Sequence, residues 1–177
     1  GNVAPPDMPN YVVALRIGAP FQYRLTSHVI NYVDDAYHDT LDYAAVIGGC
    51  VGASTPAGAR LAGLGPTGTM PHSLVLIFGD TVKAAEAFDR HMPPDVPRVV
   101  LVDTFHDEAE EALRVAHALG DRLYGIRLDT PSERGRVTPD LVLECRARLD
   151  QQGFGHVKII VSGGLDPDRI RYFKDAG

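Results

Sequence analysis

The chain has 177 residues, of which 45% are hydrophobic and 23% charged, and it carries a formal net charge of −6. This is the composition of an ordinary globular protein with room for one hydrophobic core. The acidic balance argues against a general nucleic-acid binder, which normally presents a basic face, but it leaves open the binding of a phosphorylated small molecule through backbone amides.

The sequence carries no visible targeting signal. No apolar run approaches the roughly 18 residues of a membrane-spanning helix, and the N-terminus lacks the basic and apolar regions of a secretory signal. The two cysteines, Cys50 and Cys145, lie far apart and have no metal-ligand spacing, so we expect two reduced core thiols rather than a disulfide. We therefore expect a cytoplasmic protein that engages neither a membrane nor nucleic acid.

Regular patterning begins at residue 44. Residues 1–43 keep no sustained hydrophobic period and form an irregular, unassigned N-terminal segment. Within it, residues 11–17 are typical of one strand and residues 34–40 of a short acidic helix or loop. We predict one α/β catalytic domain over residues 44–177.

Strands and helices alternate in that domain. Four short apolar runs are predicted as buried strands: residues 44–47, 98–102, 123–128 and 157–161. Helices are predicted over residues 73–91 with a restart or cap at Thr81, from Asp107 to Gly120 with Glu110 completing a capping box, from Thr138-Pro139 to Gly153, and from Asp166-Pro167 onward.

Apolar strands that alternate with helices predict a parallel sheet covered by helices. Four such units fit half of an eight-stranded barrel or a small open sheet, and periodicity alone does not separate the two. The chain stops immediately after a helix, so we interpret it as a fragment.

Polar side chains collect where the predicted strands end, which is where parallel α/β folds place their active groups. A glycine turn over residues 68–73 delivers His72 at a helix start. Asp103 ends the second predicted strand. Arg127 and Asp129 end the third, on one side of it, because side chains alternate along a strand with period two.

The fourth strand runs into Ser162-Gly163-Gly164, which precedes a helix. Two glycines let the backbone approach an anion, and free amides with the helix dipole favour negative charge. Taken singly, each of these features has a plain structural reading: a turn, a hydrogen-bonded histidine, a capping aspartate, a salt-bridged pair. Four polar strand ends in succession favour one shared pocket over four unrelated features.

Together these motifs resemble the nicotinate phosphoribosyltransferase family, in its archaeal-type branch. The motifs, in matching order and spacing, are Ile47-Gly48-Gly49, Gly68-Thr69-Met70-Pro71-His72, Val102-Asp103-Thr104, Arg127-Leu128-Asp129-Thr130 and Val161-Ser162-Gly163-Gly164-Leu165. The likeness covers residues 44–177. It implies an incomplete (β/α) barrel of the type II phosphoribosyltransferase kind.

The resemblance implies an enzyme of NAD biosynthesis. In that reaction the ring nitrogen of nicotinate displaces pyrophosphate from phosphoribosyl pyrophosphate, giving nicotinate mononucleotide. Mg²⁺ neutralises the pyrophosphate, and ATP hydrolysis is coupled through a transiently phosphorylated histidine. The expected partners are therefore nicotinate, phosphoribosyl pyrophosphate and ATP, and the resemblance further implies a homodimer.

Site residues carry over position by position. His72 matches the phosphorylated histidine and Asp103 the carboxylate that orients it. Arg127 matches a residue near the nicotinate or the sugar phosphate, Asp129 matches one near the ribose hydroxyls, and Thr130 is a further expected substrate contact. Ser162, Gly163 and Gly164 are expected to hold the 5′-phosphate, and Ser54 and Thr55 the pyridine ring.

The sequence also departs from the family. Residues 1–43 do not resemble the family's N-terminal domain, and a second glycine-rich phosphate loop, expected shortly after residue 177, is absent from the sequence. The alternatives are a related phosphoribosyltransferase for another base, a different phosphate-binding barrel, or a truncated, non-catalytic remnant that binds phosphate.

Overall fold

The computed structural model describes residues 11–13, 42–44, 46–47, 52–65 and 68–176. The chain divides into two compact units, the larger formed by Gly1–Ala14 with Thr69–Gly177 and the smaller by Leu15–Gly68. The predicted helix or loop at 34–40 and the thiol of Cys50 lie outside the described residues. The predicted domain boundary after residue 43 stays a prediction.

The larger unit is built on a four-stranded parallel sheet. Its strands are β1 (Tyr11–Val13), β2 (Arg98–Leu101), β3 (Leu123–Leu128) and β4 (Lys158–Val161). They lie in the order β1-β4-β3-β2, and every neighbouring pair is parallel. The predictions of strands at 98–102, 123–128 and 157–161 are confirmed, and within 11–17 the strand covers Tyr11–Val13.

Helices alternate with β2, β3 and β4, which confirms the predicted α/β class. The larger unit contains α2 (His72–Phe78), α3 (Thr81–His91), α4 (Glu108–Leu119), α5 (Pro139–Gln151) and α6 (Pro167–Asp175), and the smaller unit contains α1 (Pro56–Leu61). Short 3-10 turns occupy Gly120–Arg122 and Ser132–Arg134. None of the helices that the structure describes has the length and apolar character needed to span a bilayer.

Side-chain caps begin α4 and α5 at the residues that the sequence predicts. The Asp107 carboxylate accepts the amides of Ala109 and Glu110 at 3.1 Å each, and Thr138 caps α5 ahead of Pro139. Such caps satisfy backbone donors that the first helical turn leaves unpaired.

The core of the larger unit lies between the sheet and its helices. Val100, Ile126 and Ile159 contribute from the strands, and Ala112 and Cys145 from the helices. Burial raises the pKa of the Cys145 thiol to about 12, with nearby carboxylates acting in the same direction, so this cysteine is the protonated core thiol expected from the sequence.

Two adjacent strands approach closely at Gly125. A Cβ placed there would lie 2.9 Å from the carbonyl oxygen of Lys158 on β4. Glycine at this position therefore allows β3 and β4 to pair without displacing the backbone.

The prediction of a strand at 44–47 is wrong. Residues 42–44 and 46–47 are helical. A four-residue apolar run is too short for its period to separate a buried strand from a helix, and the alanines in it favour the helix.

Candidate active site

The carboxyl ends of β2, β3 and β4 bring most of the predicted site residues to one edge of the sheet. Asp103 follows β2, Asp129 follows β3, and Ser162 follows β4. Met70, fully buried, donates its amide to the Val99 carbonyl on β2 at 3.3 Å. This bond holds the segment before α2 alongside the sheet, so that His72 begins its helix at the same edge.

His72 and Asp103 form a hydrogen-bonded pair. His72 Nε2 lies 3.0 Å from Asp103 Oδ1, with the imidazole 39% exposed and the carboxylate fully buried. The second carboxylate oxygen, Oδ2, accepts the amide of Asp129 at 2.9 Å. Because a carboxylate only accepts hydrogen bonds, the pairing makes Nε2 the protonated nitrogen and leaves the lone pair on Nδ1.

Arg127 and Asp129 form the second pair, on one side of the chain as the strand period predicts. Arg127 donates to Asp129 Oδ2 at 3.0 Å and also donates to the hydroxyl of Thr69. Both charged groups are mostly buried, with 14% and 19% of their side chains exposed. The two pairs join through the Asp129 amide, so four of the predicted residues form one connected cluster.

The loop after β4 presents free backbone donors beside this cluster. Gly163 and Gly164 have φ angles of +91° and +60°, and their amides donate to no acceptor in the part of the chain that the structure describes. A Cβ at Gly163 would lie 2.7 Å from Asp129 Oδ1. Asp166 turns back to accept the Arg169 amide at 2.7 Å, so its carboxylate caps α6, as a helix-opening aspartate is expected to do.

Ser162 is less available than the two glycines. Its amide and its hydroxyl both donate to the Leu128 carbonyl, at 2.8 and 3.1 Å, and the residue is buried. These bonds hold the loop against β3 and commit the donors that a phosphate would need. The backbone amides of the two glycines, rather than the serine hydroxyl, are therefore the donors available to a phosphate.

Ser54 and Thr55 lie in the smaller unit, where both bond to Asp42. The Ser54 hydroxyl and the Thr55 amide donate to Asp42 Oδ2 at 3.0 and 2.6 Å, and Thr55 also caps α1. Burial works to raise the pKa of Asp42, but these hydrogen bonds outweigh it and hold the pKa below the ordinary value. The expected contact of Ser54 and Thr55 with a pyridine ring stays a prediction.

Thr130 contacts Glu108, which pairs with Arg134, and the sequence pattern singled out neither of these two residues. The buried hydroxyl of Thr130 donates to Glu108 Oε1 at 2.9 Å, and Arg134 Nη2 lies 3.4 Å from the same oxygen. Arg134 Nη1 also donates to the Asp103 carbonyl at 2.9 Å. One signal was available: Glu108 stands four residues before Ala112, in register with the buried stripe of α4, where a carboxylate requires a partner.

Comparisons with known proteins agree on the family. The sequence model described as "Quinolinate phosphoribosyl transferase, C-terminal domain" matches residues 38–177. Nicotinate phosphoribosyltransferase pncB2 of Mycobacterium tuberculosis is 36% identical over 126 residues, covering 70% of this chain and 26% of that protein. Nicotinate phosphoribosyltransferase of Bacillus subtilis is 32% identical over 136 residues, covering 76% and 27%.

A solved structure is similar in both fold and sequence. The crystal structure of nicotinate-nucleotide pyrophosphorylase from Pyrococcus furiosus superposes with a TM-score of 0.74 at 46% identity, covering 80% of this chain and 36% of that one. The chain thus spans about a quarter of the two curated relatives and about a third of that structure. The family resemblance carried by the strand-end motifs is confirmed, and the fold matches part of a type II phosphoribosyltransferase barrel.

Proposed function

The chain belongs to the quinolinate phosphoribosyl transferase C-terminal domain family of type II phosphoribosyltransferases, and on that premise we propose that it transfers a phosphoribosyl group to nicotinate with coupled ATP hydrolysis. The observation that carries this choice is the His72–Asp103 pair. Attack of a pyridine nitrogen on a sugar requires no protein nucleophile. An exposed imidazole oriented by a buried carboxylate is what a phosphoryl acceptor requires.

The phosphoryl step follows from the imidazole geometry. The Nδ1 lone pair attacks the γ-phosphorus of ATP, the bond from that phosphorus to the β,γ-bridging oxygen breaks, and ADP leaves with the electron pair. The imidazole becomes a cation, and the Asp103 carboxylate at 3.0 Å stabilises it. Water later attacks the phosphorus and releases inorganic phosphate, so the net reaction is hydrolysis of ATP to ADP and phosphate.

The transfer step relies on positioning and charge. The ring nitrogen of nicotinate forms a bond to the anomeric carbon of phosphoribosyl pyrophosphate, and pyrophosphate leaves with the electrons of the broken carbon–oxygen bond. The Arg127–Asp129 pair borders this edge and would meet the anionic and hydroxyl groups of the substrates. The amides of Gly163 and Gly164 would bind the 5′-phosphate.

Mg²⁺ would bind together with the pyrophosphate group of phosphoribosyl pyrophosphate. In the described part of the chain no three His, Cys, Asp or Glu side chains come together as a metal site. Mg²⁺ in phosphate chemistry commonly uses one or two protein carboxylates and several substrate oxygens, and Asp129 is the partly exposed carboxylate at this edge. The ion would supply neutralisation of the leaving group.

A second candidate is transfer to a different pyridine. The Pyrococcus furiosus protein, at 46% identity, is a nicotinate-nucleotide pyrophosphorylase, and this name leaves open which base the present chain uses. Nicotinate and quinolinate are therefore compared as substrates under identical conditions. Binding of phosphoribosyl pyrophosphate with neither product would identify a non-catalytic, phosphate-binding chain.

The phosphohistidine is tested by labelling with γ-³²P ATP. We expect the wild-type chain to take up label that acid removes and base leaves in place, and His72→Ala to take up none while keeping its circular dichroism spectrum. His91→Ala is the matched control, because His91 is exposed at the far end of α3. Equal labelling of wild type and His72→Ala would show that His72 is not the phosphorylated residue. It would also remove the observation on which the proposal of nicotinate as substrate rests.

A further inference from the structure

Arg134 contacts the backbone carbonyl of Asp103, whose carboxylate pairs with His72. It ends the 3-10 turn Ser132–Arg134 after β3, and the chain then reverses through Gly135 and Arg136 at φ +96° and +63°. The reversal leaves Arg134 able to donate to the Asp103 carbonyl at 2.9 Å. Asp103 is thereby held at both ends, its carboxylate by His72 and the Asp129 amide and its carbonyl by Arg134.

Glu108 holds Arg134 in place. Its side chain is 8% exposed, and its Oε1 accepts the Thr130 hydroxyl at 2.9 Å and forms an ion pair with the Arg134 guanidinium at 3.4 Å. In the described ranges Arg134 is the cation paired with this buried carboxylate, which would otherwise be costly to bury. Glu108 therefore links Arg134, on the loop after β3, to Thr130, one residue beyond Asp129.

We propose that Arg134, backed by Glu108, is a positioning residue that keeps the Asp103 carboxylate aimed at His72 Nε2. The bond from Arg134 to the Asp103 carbonyl fixes the backbone from which the Asp103 side chain projects, and it thereby limits displacement of the carboxylate relative to the imidazole. With the carboxylate fixed, the proton stays on Nε2 and the lone pair on Nδ1. The expected effect on the rate of phosphorylation rests on the proposed function, whereas the expected effect on the tautomer of His72 does not.

A purely structural role predicts something different. The ion pair of a half-exposed arginine contributes little to stability, and in a purely structural role its loss would leave the tautomer of His72 unchanged. Arg148 supplies the comparison, because its side chain is 46% exposed and pairs with Glu144 at 2.6 Å, whereas Arg134 is 44% exposed and pairs with Glu108. Arg148→Gln is a control for the loss of a similarly exposed arginine, whose partner Glu144 is 47% exposed where Glu108 is 8% exposed.

The first measurement is the tautomer of His72, by ¹⁵N NMR of histidine-labelled protein with His72→Ala used for assignment. In the wild-type chain and in Arg148→Gln we expect a protonated Nε2 and an unprotonated Nδ1. In Arg134→Gln we expect averaged shifts of two exchanging tautomers. Arg134→Gln retaining the wild-type tautomer would overturn the proposal, whatever the activity of the chain.

The second measurement is the single-turnover rate of His72 phosphorylation from ATP, with the apparent affinity for ATP recorded separately. A small misplacement of a catalytic group costs about 10- to 100-fold in rate, so we expect that loss in Arg134→Gln, with the ATP affinity within about threefold of wild type. Arg134→Lys should recover part of the rate, since it restores a charge beside Glu108 without the guanidinium fork. A wild-type rate in Arg134→Gln counts against the proposal.

Glu108→Gln serves as the second variant if Arg134→Gln does not fold. It keeps an oxygen acceptor for Thr130 and removes the charge that holds Arg134, so the tautomer and the rate should change in the same directions. A wild-type chain that takes up no label would defeat the proposed function alone, because the ¹⁵N comparison decides the positioning role independently. Unchanged tautomers in a folded Glu108→Gln would defeat the positioning role alone.

Discussion

Gly163 stands where any side chain would collide with the carboxylate of Asp129. A Cβ there would lie 2.7 Å from Oδ1, closer than non-bonded atoms approach, and the φ of +91° is itself unfavourable for other residues. Substitution by alanine therefore has two separate effects: backbone strain, and displacement of the carboxylate that Arg127 holds.

We expect Gly163→Ala to weaken binding of ribose 5-phosphate by at least tenfold and to lower stability by about 1–3 kcal/mol. Gly153→Ala is the matched control, because Gly153 has a φ of +83° and a Cβ added to it would meet nothing within 4 Å, so the substitution adds strain alone. Amide-shift titration measures binding and urea denaturation measures stability. Unaltered ribose 5-phosphate affinity in Gly163→Ala, or shifts confined to residues outside 162–166, would contradict the anion-loop assignment.

Some residues of the candidate site could be predicted from the sequence and others could not. His72, Asp103, Arg127 and Asp129 each lie at or beside the end of a recognisable strand or the start of a helix. Parallel connection brings such ends together, so their clustering could be predicted. Glu108 and Arg134 could not be singled out in the same way. A glutamate in a first helical turn has an ordinary reading beside the helix dipole, and an arginine in a polar loop is ordinarily solvated.

At the scale of elements, the junction between α2 and α3 shows how local chemistry sets boundaries. The sequence predicts one helical run with a restart or cap at Thr81. In the structure α2 ends at Phe78, with Gly79 at φ +66° as its C-cap, and α3 starts at Thr81. The cap is Asp80, whose carboxylate accepts the Lys83 amide at 2.9 Å and pairs with Arg114 at 2.7 Å. Glycine and aspartate in succession thus end one helix and begin the next.

Asp80 should make α3 sensitive to pH. The Lys83 amide first, and then Arg114, hold the pKa of this carboxyl below its ordinary value of 3.8. A carboxyl whose pKa is lowered by folding stabilises the folded state above its unfolded pKa, and that contribution is lost as pH falls through the folded pKa. We expect Asp80→Ala to cost about 1 kcal/mol at pH 7, with the difference from wild type narrowing below about pH 4.

The measurement is urea denaturation of wild type and Asp80→Ala at a series of pH values between 7 and 3. Asp80→Asn is the matched control, since asparagine caps a helix about as well and carries no charge, so it should lose much less stability at pH 7. A gap between wild type and Asp80→Ala that stays constant down to pH 3 would show that the cap does not depend on ionisation.

At the scale of the molecule, alternation and capping were sufficient to predict the α/β class, because strands buried on both faces must be covered by helices. The position of β1 was not predictable from the pattern. Its pairing with β4 joins Tyr11 to Ile159, and no local signal encodes a contact across so much of the chain. The run at 44–47 failed for the opposite reason, since four residues carry too little period to decide between helix and strand.

The two edges of the sheet have different roles, the carboxyl edge in the candidate site and the amino edge in stability. The candidate site occupies the carboxyl edge, whereas Arg98 opens β2 at the amino edge, roughly 13 Å away along a four-residue strand. Arg98 is buried and donates to Asp89 Oδ1 at 2.9 Å. It also donates to four carbonyl oxygens, those of Asp89, Met92, Pro93 and Val96. One guanidinium thus satisfies the turn that connects α3 to β2.

Removing that guanidinium should lower stability and leave the chemistry intact. We expect Arg98→Met to cost about 3–5 kcal/mol, because it leaves Asp89 Oδ1 and four carbonyl oxygens without their donor. Arg122 also pairs with Asp89 but is 62% exposed, so Arg122→Met should cost no more than about 1 kcal/mol. Thermal unfolding followed by circular dichroism measures both, and labelling from ATP, well below the midpoint of each variant, measures the site. A loss of labelling in folded Arg98→Met without a change in midpoint would show that the amino edge takes part in the reaction, contrary to this division of the sheet.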